Sequence, residues 1–145
     1  MRKFLRAAGV LTLLPGAGVA DANAENRVRF EQFGRAHGVA IVQRDRRNGA
    51  DLAQQGRENL ARAVQQGRLN QLLVGQNGQS NSAGIYQNGV GNIAGIGQLD
   101  AGNNAVIEQN GTGNLAASIQ TGPGHNAQIK QSGTGNFAII IQYRQ

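Results

Sequence analysis

The 145-residue sequence contains no cysteine, no tryptophan, only two prolines and only six aromatic residues. Without thiols there can be no structural disulfide and no thiolate zinc or iron–sulfur site. Charge is sparse as well, at 15% of residues, with 14 Lys and Arg against 8 Asp and Glu. Leu, Ile, Val and Phe together supply 34 residues, near the level at which an aperiodic chain would be disordered. Folding must therefore come from pattern. What the chain has in quantity is 22 Gly, 17 Gln and 15 Asn, more than a third of its length and not an ordinary enzyme composition.

Residues 1–24 read as a secretory signal. Arg2, Lys3 and Arg6 form a basic start, Ala7 to Leu14 an apolar stretch, and Ala22-Asn23-Ala24 a small-residue cleavage site. The apolar run is too short to span a bilayer and is broken by Pro15-Gly16. The mature chain is expected to begin at Glu25, with 11 Lys or Arg and 7 Asp or Glu, so part of the basicity belongs to targeting.

After the signal an internal repeat dominates, and repeats take precedence over every other feature. A Gln recurs every 11 residues without a gap: Gln32, Gln43, Gln54, Gln65, Gln76, Gln87, Gln98, Gln109, Gln120, Gln131 and Gln142. Six residues before them stand Asn26, His37, Asn48, Asn59, Asn70, Asn81, Asn92, Asn103, Asn114, His125 and Asn136. Four before stands a small or aliphatic residue, Ala in most units. Two before stand Phe30, Ile41, Leu52, Ala63, Val74, Ile85, Ile96, Ile107, Ser118, Ile129 and Ile140. The unit is Asn-x-Ala-x-Ile-x-Gln, present 11 times.

The internal spacing of two sends Asn, Ala, Ile and Gln to one face of an extended strand, whereas a helix would scatter them. Two residues after the Gln comes Gly34, Gly56, Gly67, Gly78, Gly89, Gly111, Gly122 or Gly133, with Asp45 and Asp100 in two other units. These types tolerate left-handed backbone angles and mark turns. Seven strand residues from Asn to Gln and four turn residues are expected per unit. Two units with their fixed faces opposed make a 22-residue rung, so the fold class is all-β: a flattened, amyloid-like β-solenoid of five rungs and one extra strand. Ile41, Leu52, Val74, Ile85, Ile96, Ile107, Ile129 and Ile140 are its core, and the Asn and Gln columns its amide ladders. One unit buries too little apolar area to offset its own conformational entropy. Stability must come from stacking at about 4.8 Å per rung, with like amides hydrogen-bonding along the axis. A stack with no capping helix leaves open strand edges, which invite another molecule to continue the sheet.

The pattern Gln-x-Gly-x-x-Asn-x-Ala-x-x-x-Gln, as in Gln76 to Gln87 and Gln131 to Gln142, resembles the curlin repeat of bacterial curli fibres, over essentially residues 26–142. The resemblance implies an extracellular functional amyloid of biofilm matrix and adhesion, exported through a dedicated outer-membrane pore, with other curlin subunits as partners. The closing Phe137-Ala138-Ile139-Ile140-Ile141-Gln142-Tyr143-Arg144-Gln145 is similar to the minor, nucleating subunit, and so is the Arg content, since major subunits tend to be acidic. The alternative is the major fibre subunit.

Departures from the unit are uneven. Arg35, Arg46, Arg57 and Arg68 share one turn position, so Arg35 should stack on Arg57 at one edge and Arg46 on Arg68 at the other. Like charges about 4.8 Å apart repel by something near 1 kcal/mol even in water. From Gln79 onward that position is uncharged, and a second turn glycine enters at Gly91, Gly102, Gly113, Gly124 and Gly135. Residues 76–145 are therefore expected to form the templating amyloid core, and 25–75 a more reluctant, Arg-rich set of repeats that keeps the chain soluble during export.

No catalytic residue, metal or cofactor is assigned. Gly111-Thr112-Gly113-Asn114 and Gly133-Thr134-Gly135-Asn136 look like pieces of a phosphate loop, but they repeat in register and no Lys-Ser/Thr follows. His37 and His125 take the place of Asn and stand four rungs apart, about 19 Å, too far to share a metal. The carboxylates form no acid–base pair, the Ser residues have no His-and-Asp neighbours, and calcium-type solenoid repeats would need an Asp in every turn. Arg44-Asp45-Arg46-Arg47 lacks the aromatic partners of a nucleic-acid site. It leaves only weak, salt-sensitive adhesion to anionic polymers, with no specific nucleic acid. An alternative of another class is a monomeric solenoid that binds glycan or ice, although the mature chain's three Thr, at 112, 121 and 134, form no regular rank.

Overall fold

A computed structural model describes residues 26–144; the expected signal and its cleavage site lie outside them. Every element among the described residues is a β-strand: β1 Arg27–Arg35, β2 Gly38–Gln43, β3 Gly49–Arg57, β4 Leu60–Arg68, β5 Gln71–Gln79, β6 Ser82–Val90, β7 Ile93–Ala101, β8 Asn104–Thr112, β9 Leu115–Thr121, β10 Asn126–Thr134 and β11 Phe137–Tyr143. Odd strands form a six-stranded sheet in the order β1-β3-β5-β7-β9-β11, and even strands a five-stranded sheet, β2-β4-β6-β8-β10. All neighbours are parallel, and each residue pairs with the one 22 positions on, as in Gln54↔Gln76 and Gln65↔Gln87. This is the all-β solenoid expected from the 11-residue unit, five turns and one strand over.

The period of two produces the packing directly. In β4, Ala61, Ala63 and Gln65 are buried, while Leu60 and Arg62 face out. The two inward faces meet in one core: Ile41, Ile85 and Ile107 are fully buried, with Leu52, Val74, Ile96 and Ile129 each at most 5% exposed. The core fades at the ends. Val28 and Ile140 are only half-buried and Phe30 is 37% exposed, because no rung among the described residues covers them.

The strand limits differ from the expectation of seven strand and four turn residues. Most strands run nine residues, starting one place after the Asn and ending three past the Gln. The glycines read as turn residues at 34, 56, 67, 78, 89, 111 and 133 therefore lie inside strands; Gly122 alone lies just beyond one, after β9. The reason is close approach. At Gly56, with φ of 109°, a Cβ would come 2.0 Å from the Gly78 carbonyl oxygen of the next rung. The true left-handed corner residues come two places later: Ala36, Arg47, Glu58, Leu69 and Ser80, then Gly91, Gly102, Gly113, Gly124 and Gly135, with φ between 56° and 74°.

Candidate assembly site

The two amide columns are built from the Gln at the inward end of each unit. Each Gln donates one Nε2–H to the Oε1 of the Gln 22 residues on, at 2.7–2.9 Å, running Gln32 to Gln142 in one column and Gln43 to Gln131 in the other. From Gln43 onward the other N–H crosses the rung to the first carbonyl of the facing strand, as Gln65 to Gly49 at 3.0 Å and Gln98 to Ser82 at 2.8 Å. A side chain buried to this degree must satisfy both donors and its acceptor, and here the same amide binds rung to rung and sheet to sheet.

The Asn residues act differently from the side-chain ladder expected of them. They stand outside the strands, in the corners, and Asn59, Asn70 and Asn92 are fully buried. Asn59 Nδ2 donates to the Gln55 carbonyl at 2.9 Å and to the Gly78 carbonyl of the next rung at 3.1 Å, while its Oδ1 accepts the Asn81 backbone N–H at 3.1 Å. The same bonds recur at Asn48 and Asn70. The Oδ1 of each of Asn81, Asn103 and Asn114 accepts the axial bond from the next rung's backbone N–H, the last of these donated by Asn136. Among the described corner residues, side-chain-to-side-chain bonds join Asn70, Asn92, Asn114 and Asn136. His37 and His125 imitate the corner bond, each placing Nε2 3.0 Å from the carbonyl four residues earlier. Where Asp45 and Asp100 replace the strand glycine, a carboxylate oxygen accepts the next rung's N–H, from Gly67 at 2.9 Å and Gly122 at 3.0 Å.

Among the described residues, both columns end without a further Gln. Gln43 Oε1 is buried and has no partner, since no earlier Gln of its column lies among the described residues. Gln131 and Gln142 each make their cross-rung bond, to the Leu115 and Asn126 carbonyls, and no later Gln of their columns lies among the described residues to take the second N–H. The outer strand edges are β1 and β2 at the start, β11 and β10 at the finish.

The Arg positions pair as expected: Arg35↔Arg57 at one edge and Arg46↔Arg68 at the other. The outer face of the six-stranded sheet changes along the axis. It begins with Arg27, Arg29, Glu31 and Asp51 and ends with exposed Phe137, Ile139, Ile141 and Tyr143. The outer face of the other sheet carries a 3.3 Å ion pair between Lys130 and Glu108. One core position breaks the rule: the Ser118 hydroxyl is buried without a partner in the column of Ile96 and Ile140. Sequence reasoning found the columns but missed the cross-rung half of each Gln bond; the signal for it is the 16-residue offset that places every Gln opposite the first residue of the facing strand. Among the described residues no group of His, Asp and Glu is arranged to hold a metal ion.

Neither a curated protein nor a solved structure matches the chain. The family model of the curlin associated repeat matches it in two places, residues 46–78 and 102–133. These stretches fall in both halves of the solenoid, so the chain is similar to the curlin associated repeat on either side of its middle.

Proposed function

We propose that this chain is a secreted structural subunit of curli-type functional amyloid, and that it acts as the minor subunit that nucleates fibre growth at the cell surface. The observation that carries the reading is a column of paired amides saturated inside and, among the described residues, open at both ends, with Gln43 Oε1 buried and unpartnered. Such a stack is completed by another stack rather than by a small ligand. Two features favour the nucleating role: the basic first rungs, with nine Arg against four carboxylates in residues 26–75, and the apolar last strand. An acidic fibre subunit would be drawn to the former and templated by the latter. On this reading residues 1–24 direct export and are removed after Ala24, the outer-membrane curli secretion and anchoring machinery and other curlins are the partners, and residues 76–142 form the templating core. Weak binding of anionic polymers would follow from the Arg columns and fade with salt.

Seeding tests the role. A substoichiometric amount of the mature chain should shorten the lag of an acidic curlin severalfold. If the chain assembles alone but leaves that lag unchanged, it is a major subunit instead.

A further inference from the structure

The geometry points to a half-turn between successive copies: each molecule added to the column is rotated by 180° about the axis, so that the six-stranded sheet of one copy continues as the five-stranded sheet of the next. The inference rests on the assembly reading above and adds to it which edges meet and in what register.

Topology supplies the first argument. The described chain has eleven strands, an odd number, and its two sheets end half a rung out of step. The next strand place after β11 belongs to the sheet of β10. A second copy that enters there puts its β1 on β10 and its β2 on β11, and both sheets continue without a gap. An unrotated copy would place β1 on β11, leaving one strand missing beside it and two edges unpaired within the column, a heavy loss of backbone hydrogen bonds.

Side chains supply the second argument. In the rotated register, which extends the 22-residue offset seen in every pair of strands, Glu31 of the second copy lands on Lys130. That Lys already pairs with Glu108 from below. Asp45 of the second copy lands on Arg144, and its Val42 on Ile141. Gln43 of the second copy lands on Gln142, whose second N–H then meets the one Gln oxygen that, among the described residues, is buried without a partner. The unrotated register instead sets Arg29 on Ile139 and Glu31 on Ile141, charge on apolar surface. Surface ion pairs alone contribute little, so their value here is to select a register that the backbone also requires.

Engineered cysteines in residues 25–145 test this, because the chain has none of its own. Stacked in-register residues lie about 4.8 Å apart, within disulfide reach. Fibres of Val42→Cys/Ile141→Cys and of Glu31→Cys/Lys130→Cys should oxidise to ladders of covalent multimers, while Glu31→Cys/Ile141→Cys fibres should not. Multimers from the last pair, or fibres in which no pair links, would overturn the half-turn and leave assembly standing. A mature chain that stays monomeric on prolonged incubation would overturn the assembly reading itself and the half-turn with it.

Discussion

A buried amide stabilises a fold only if each of its polar atoms has a partner, and in the interior of this solenoid the Gln side chains meet that condition through two directions at once. Gln76 receives from Gln54 at 2.8 Å and donates to Gln98 at 2.9 Å and to the Leu60 carbonyl at 3.0 Å. Gln76→Leu would strand all three partners in the core, and we expect a loss of about 2–4 kcal/mol in urea unfolding. Ser118 is the opposite case, a hydroxyl held without a bond between Ile96 and Ile140. Ser118→Val should raise stability by about 1–2 kcal/mol, read as a higher Tm. The Gln and Ile columns were legible in the sequence because a strict period of 11 with an internal spacing of two permits one inward face. The Asn role was not, since a corner residue that bonds backbone to backbone leaves the same period as one that sits in a strand.

At the scale of the strand, the two halves share a register but not a chemistry. The early corners put Ala36, Arg47, Glu58, Leu69 and Ser80 at left-handed angles, where the later corners have glycine. Each such residue costs roughly 1 kcal/mol, and Arg35 on Arg57 and Arg46 on Arg68 add repulsion. Strands β1–β4 should therefore open more readily than β6–β10. Amide hydrogen exchange should show lower protection in residues 26–68, and protection there should rise as salt is raised from about 0.01 to 1 M, because the screening length falls from about 30 to 3 Å. Leu69→Gly should stabilise the same region by about 1 kcal/mol, measured by the same exchange. Strand number and sheet assignment were readable from the repeat. Strand limits were not, because glycine signals a turn in sequence whether it bends the chain or clears space for the carbonyl of the next rung, as Gly56 does for Gly78.

For the molecule as a whole, every unit turns the same side chains inward, so removing one unit shortens the stack without turning its core outward. Deleting residues 82–92, which joins Asn81 to Ile93, should give a ten-strand solenoid with a retained β signal in circular dichroism. Its fibres should lose the half-turn while keeping the same contacts between copies. By electron microscopy the full chain should repeat after two molecules, about 53 Å, and the deletion after one, about 24 Å. The Gln columns carry one more implication. All their nitrogens look toward the last strand and all their oxygens toward the first. A molecule arriving upside down would press nitrogen against nitrogen, so a filament of this chain has a head and a tail, and its two tips should lengthen at different speeds.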